Sequence, residues 1–375
     1  MKWLPFFLVP IILALPCPTL ACSICNFGDV LSRLTLRQEA ELPEAQMILF
    51  GTLSNPRVGA TDLTIVSVVR PHTALGTRRT IEIARYLPAD AKDPPKYLIF
   101  CDVSGKKIDG YRGVPVKSIA VVDYLKGAMA LKEKDRTTAL LYFFRFLDHA
   151  DKEIANDAFL EFAKANDQEI GQVAPKLAPE KLRAWLQDAD TPTQRLGLYA
   201  FLLGACGGNA DAAILKSLMN QTNNQGITTF DGLLAGYIQL RPEEGWDLAL
   251  SLLGNEKKPF AVRFAVIRTL RLYYSLKPQE SRLRVLRFFP TVLPQRDLAD
   301  LAIEDLRRWQ LWDLTKDVLS VYGKKSHDFP LMRQAILRYA LSCPKEEAAT
   351  FVAERRREDP ELVKDIEEGL RAEKK

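Results

Sequence analysis

Cys22-Ser23-Ile24-Cys25 is the sharpest short motif in the chain. A Cys-x-x-Cys pair does redox chemistry when a helix N-terminus in a thioredoxin-like βαβ unit lowers the pKa of one thiol. Here the pair stands before every predicted strand. A haem attachment site would need His next, and the residue is Asn26. A zinc site would need a second pair at suitable spacing, which the sequence lacks. What fits is a structural disulfide or a lipid anchor on Cys22, with a thiol-active or metal-assisted enzyme as the alternative. Cys101 is the natural bridge partner for this N-terminal segment in an oxidising compartment.

The other chemistry-bearing residues do not converge. His72, His149 and His327 fall in separate segments with no paired spacing on one helix face, whereas general-base or metal roles need convergence. Each reads as a surface or capping residue. Gly204-Ala205-Cys206-Gly207-Gly208 lacks the Lys-Ser/Thr ending and preceding strand of a phosphate loop, and reads as a helix stop. The acidic pairs Glu243-Glu244 and Glu304-Asp305 read as first-turn or surface carboxylates. Cys206 and Cys343 lie in helical patterns and read as buried small hydrophobes. No catalytic set, cofactor or metal is expected.

One charged stretch stands out. Between Lys257 and Arg296 lie Arg263, Arg268, Arg271, Arg282, Arg284 and Arg287, with Glu256 and Glu280 as counter-charges. Arg268 and Arg271 are three apart, as are Arg284 and Arg287, so each pair can share a helix face. Phe264, Tyr273, Tyr274, Phe288 and Phe289 interleave. The stretch is either a solvated helix surface over core aromatics or a basic groove for an anionic partner.

The start of the chain sets the expected compartment. Lys2 precedes an uncharged apolar run to Leu15, and Pro16-Cys17-Pro18-Thr19-Leu20-Ala21 ends in a small residue. This is the three-part pattern of a cleaved signal over residues 1–21. The run is too short, and too broken by Pro5 and Pro10, for a helix spanning a bilayer, which needs about 20 apolar residues. The expectation is a secreted or periplasmic protein, or a lipoprotein if Cys22 is lipidated, with a membrane contact only in that case.

Composition narrows the class. About 350 residues would remain after cleavage, enough for two domains with full cores. The formal charge of +5 is mild for this length and does not argue for nucleic acid. Six cysteines are too few for a disulfide-built scaffold.

The elements that must carry these residues change period along the chain. Met47–Leu53, Leu63–Val69, Thr80–Tyr86 and Tyr97–Cys101 are short β-branched or alternating runs. Ser54-Asn55-Pro56, Ala74-Leu75-Gly76, Asp93-Pro94-Pro95 and Ser104-Gly105 supply turns between and after them. They predict a small antiparallel sheet or barrel over residues 22–122. Over residues 123–353 the period becomes helical. Apolar positions spaced three and four apart begin near Ile154, Gln194, Phe230, Val262, Leu298 and Met332, in steps of roughly 32 to 40 residues. One helical pair per step predicts an α-solenoid. Residues 354–375 are densely charged with both signs and read as a terminal cap or frayed helix.

Two resemblances add to this reading. The freed N-terminal Cys, the Phe50-Gly51-Thr52 strand end and the Tyr97-Leu98-Ile99-Phe100 strand bearing Cys101 resemble netrin-type OB barrels, the group that includes the tissue inhibitors of metalloproteases. Those inhibitors begin Cys-x-Cys, and this chain has Cys-x-x-Cys without their dense disulfides, so the resemblance implies the barrel more than the inhibition. Phe260-Ala261-Val262-Arg263-Phe264-Ala265-Val266 resembles the second helix of a HEAT repeat. The whole layout, with the β segment ending near Tyr111-Arg112-Gly113-Val114-Pro115-Val116, resembles uncharacterised secreted proteins of planctomycete-type bacteria. The expected protein is therefore α+β with two domains, an OB-like sheet before HEAT-like hairpins. It binds an unknown protein or an anionic cell-envelope polymer.

Overall fold

The computed structural model describes residues 33–131, 134–222 and 229–373. Cys22, Cys25 and the predicted signal lie outside the described residues. A short helix, α1 (Leu36–Glu41), precedes the sheet. Thr35 caps it, its hydroxyl accepting from the Gln38 N–H while the Gln38 side chain accepts from the Thr35 N–H.

Five antiparallel strands follow: β1 (Met47–Arg57), β2 (Ala60–Arg70), β3 (Thr80–Ile83), β4 (Lys96–Ser104) and β5 (Lys107–Val116), in the order β3-β2-β1-β4-β5. Three of the predicted runs fall within β1, β2 and β4, and the fourth, Thr80–Tyr86, is a strand only as far as Ile83. The predicted turn at Ser54-Asn55-Pro56 is instead the end of β1, and the chain reverses at Val58-Gly59. Pro56 has no N–H to give a ladder, and it sits where the β1–β2 register slips between Ser54 and Arg57. β5 was not among the predicted runs because Gly110, Gly113 and Pro115 interrupt its apolar alternation.

The first half of β1 and the middle of β4 are buried on both faces, which explains why they read as nearly continuous apolar runs, whereas β3 alternates between buried and exposed. Ile48, Phe50, Leu98, Phe100 and Val114 join the helical core. Met47, Leu49, Leu63, Ile81, Ile99 and Cys101 form a second core on the other face. The period-two alternation of strand side chains divides β1 between the two.

Helices occupy most of the chain from Ala120 onward: α2 (Ala120–Met129), α3 (Arg136–Phe144), α4 (Lys152–Ala163), α5 (Asp167–Val173), α6 (Pro179–Gln187), α7 (Thr193–Cys206), α8 (Asp211–Thr222), α9 (Phe230–Leu240) and α10 (Pro242–Gly254). Then come α11 (Phe260–Leu276), α12 (Pro278–Leu286), α13 (Phe289–Val292), α14 (Ala299–Arg308), α15 (Thr315–Leu319), α16 (Pro330–Ser342), α17 (Glu346–Glu358) and α18 (Pro360–Ala372). The six predicted apolar starts fall in or immediately beside α4, α7, α9, α11, α14 and α16. α7 packs on α9, α9 on α11, α14 on α16 and α16 on α18. The α7–α9 crossing is unusually close. A Cβ at Gly232 would lie 2.2 Å from the Gly197 carbonyl oxygen, and one at Gly236 would lie 2.1 Å from that of Ala200.

The sheet and the helices are joined through α4. Its Glu161 carboxylate accepts from the Thr35 hydroxyl at 2.7 Å and pairs with Arg37 and Arg136. One turn earlier, Asp157 accepts from the Leu36 N–H and, at 2.6 Å, from the Tyr124 hydroxyl. At the head of the helix, Asp151 accepts from the N–H groups of Lys117 and Ser118, just beyond β5. One acidic helix face thus fixes both ends of the sheet segment to the helical region.

Candidate functional site

A cavity of about 740 Å³ lies where α5 faces the C-terminal ends of α7, α9 and α11. Its floor is apolar: Phe201 from α7, Ile238 from α9, Trp246 from α10, and Tyr273 and Leu276 from α11. Gln168 and Gln172, one turn apart on α5, form one wall. Lys277, Glu280 and Arg284 form the other.

Local chemistry holds this shape. Asn166 caps α5 in a reciprocal box with Glu169. Gly171 lets α5 approach α11, since a Cβ there would lie 2.8 Å from Leu276 Cδ2. The Tyr273 hydroxyl donates to the Ala235 carbonyl at 2.8 Å, and Ser281 Oγ donates to the Tyr273 carbonyl at 2.9 Å. Burial pushes the Tyr273 phenol far above its ordinary pKa, so it stays neutral. Trp246 is wedged against Tyr273 and Phe288, with ring centroids 4.9 and 5.7 Å away. Its ring faces are spent on the core. The floor is therefore an apolar surface more than a stacking platform.

The two cations of the cavity are loosely held. Arg284 pairs with Glu243 at 2.9 Å and Lys277 with Glu280 at 3.0 Å, all four side chains well exposed. Such pairs contribute little, about 0 to 1 kcal/mol, and exchange with competing anions. The wall can thus offer positive charge to a ligand without exposing a buried carboxylate.

The predicted arginine set divides in two. Arg263 is buried and pairs with Asp297 at 2.6 Å. Arg268 pairs with buried Asp231 at 2.6 Å, and Arg271 with buried Asp305 at 2.8 Å. These three arginines tie α11 to its neighbours on either side. Arg282 pairs with Asp313 between exposed side chains. Arg284 lines the cavity, and Arg287 lies beside it with Glu243 and Trp246. Although three apart, Arg268 and Arg271 meet carboxylates on different neighbouring helices, one earlier in the chain and one later. Asp305 is correspondingly buried, not on the surface as its place in Glu304-Asp305 suggested; burial raises its carboxyl to about 6 despite Arg271.

The cysteines and histidines are occupied structurally. Cys101 is a free thiol on the inner face of the sheet, and burial pushes it up to about 12. Its expected bridge partners in the N-terminal segment, Cys22 and Cys25, lie outside the described residues. Cys206 is half-buried and raised to about 11 by desolvation, so it too is poorly nucleophilic at neutral pH. His72 and His149 each accept a backbone N–H two residues on, as capping residues do. His327 is buried, with Nδ1 against Ser326 Oγ and Nε2 against the Leu293 carbonyl. Among the described residues no group of three or more His, Cys, Asp or Glu could hold a metal ion, and no helix is long and apolar enough to cross a membrane.

The cavity escaped the sequence because its walls come from helices over a hundred residues apart. Only the interleaved aromatics around Tyr273 and Arg284 hinted at it. Comparison of the chain with protein-family models, curated proteins and solved structures returned no match.

Proposed function

We propose that the protein is an exported, non-enzymatic binding protein whose helical region is a solenoid of HEAT-like hairpins. Its cavity between α5 and α11–α12 takes part of a protein or anionic cell-envelope polymer. The observation that carries this is the cavity itself: an apolar floor between two glutamines and two exchangeable cations, beside a helix whose Arg263, Arg268 and Arg271 are committed to structure. The solenoid reading is supported by recurring contacts, with Arg263–Asp297, Arg271–Asp305 and Arg338–Glu304 all spanning the same 34 residues. An OB-like barrel is supported by the strand order and by the approach of the two edge strands, β3 and β5.

Lys277→Glu with Arg284→Glu is the direct test, read as retention on immobilised heparin and polyglutamate. Both residues are exposed, so the variant should fold and lose most of its retention. Unchanged retention by a folded variant would remove the cavity from the proposal. The same reversal at Arg268 or Arg271 would be uninformative, because it would place two anions against each other in the core.

A further inference from the structure

The sheet has an unfinished seam. β3 and β5 end the hydrogen-bonded order and approach each other at Ile83 and Gly110, where a Cβ on the glycine would lie 2.8 Å from Ile83 Cδ1. They share no ladder there. Past the contact, Tyr111 to Pro115 of β5 line an open groove of about 670 Å³. Among the described residues, no hydrogen bond outside the β4–β5 ladder reaches the backbone of 111–115. An edge strand with free N–H and C=O groups beside a groove is a template for an added strand.

The groove also carries an uncompensated charge. Arg33, Arg85 and Arg112 line it against Glu39 and Glu153. Arg33 pairs with Glu153, and Arg112 with Glu39 at 3.3 Å. Arg85 is exposed and has no ion-pair partner among the described residues; its N–H donates to the Ile83 carbonyl at 2.7 Å, which turns the chain at the end of β3 and holds Arg85 at the groove. The guanidinium in excess therefore stands beside a strand edge that no described residue pairs.

We propose that this groove is a second binding site, which takes an extended, carboxylate-bearing peptide as an added strand beside residues 111–115. Main-chain hydrogen bonds to β5 supply affinity, and Arg85 selects for acidic side chains. Pro115 has no N–H to donate and marks the end of the usable edge. The peptide lies against the sheet segment, apart from the cavity between α5 and α12, so the two sites can be separated by mutation.

The test uses the full chain and fluorescence anisotropy with labelled, acetylated peptides of alternating Glu and Val. Lys-Val peptides and backbone N-methylated Glu-Val peptides serve as controls. The Glu-Val peptide should bind, the Lys-Val peptide about tenfold more weakly or not at all, and the N-methylated peptide not detectably. Arg85→Glu should weaken the Glu-Val peptide about tenfold, while Lys277→Glu with Arg284→Glu leaves it unchanged. Equal binding of the N-methylated peptide overturns strand addition, and competition by free glutarate at the same concentration does so too. Loss of binding in the cavity variant, or indifference to Arg85→Glu, moves the peptide elsewhere and overturns the site. A dimer in sedimentation that the peptide fails to disrupt assigns the edge to a second copy instead.

Discussion

The α7–α9 contact and the α11–α14 contact join non-consecutive helices in opposite ways. The first is dry and backbone to backbone, with Gly232 and Gly236 against the carbonyls of Gly197 and Ala200. The second is bridged by long side chains, with Arg271 on Asp305 and the Tyr274 ring stacked on Trp309 at 4.4 Å. Glycine contacts gain dispersion and exclude water but admit no added atom. Ion-pair contacts tolerate variation in spacing but need both partners, because a buried carboxylate without its cation is costly. The lesson is that helices of one chain can be joined by shape at one contact and by charge at another.

The largest expected effect breaks the shape-closed joint. Gly236→Ala puts a methyl group 2.1 Å from a carbonyl oxygen, and the helices must part. We expect a loss of about 3 kcal/mol or more in urea unfolding, or no soluble protein. Near-native stability would show that α7 and α9 slide freely.

At the charge-closed joint the expected loss is smaller and reversible. Arg271→Met leaves Asp305 buried and unpaired and should cost about 2 kcal/mol, discounted because Arg271 is a third exposed. Adding Asp305→Leu should return most of it. A double variant no better than the single would mean that the pair contributes geometry an apolar replacement cannot supply.

Solution pH sharpens the comparison further, because only charge-closed joints titrate. Burial raises Asp157 to about 7, and Asp231 and Asp305 to about 6, against 3.8 for the unperturbed group. Between these values the folded protein binds protons that the unfolded chain has released. The stabilisation is complete below about pH 4 and is lost as pH rises through 6 to 7. Carboxylates held low by arginine, such as Glu161, act oppositely and only at lower pH. Asp157→Asn should flatten the slope of stability between pH 5 and 7 by roughly 1 kcal/mol per pH unit. An unchanged slope would show that Asp157 stays ionised in the fold.

The smallest effect belongs to the cavity rim. Glu243→Gln releases Arg284 from an exposed pair and should change stability by less than about 0.5 kcal/mol. It should increase heparin retention, which a structural role for the pair would not.

Much of this was legible in the sequence. The six apolar starts of helical period fall in or beside helices, and the four β-branched runs all became strands, because period and turn chemistry are local properties. β5 was harder to see, since its glycines and proline hide an alternation that only its pairing with β4 restores. The division of the arginines was invisible. Arg268 and Arg284 are the same residue type in one basic stretch, yet one meets Asp231 and the other a cavity.

The sequence by itself determined where helices and strands form, because propensity, capping and turn residues act within a few positions. The tertiary structure alone decided which charges are spent and which are free. A pair such as Arg263 and Asp297 is made or missed by the packing of helices 34 residues apart. The groove along β5 likewise exists only because the sheet curls until its edges approach at Gly110 and then part.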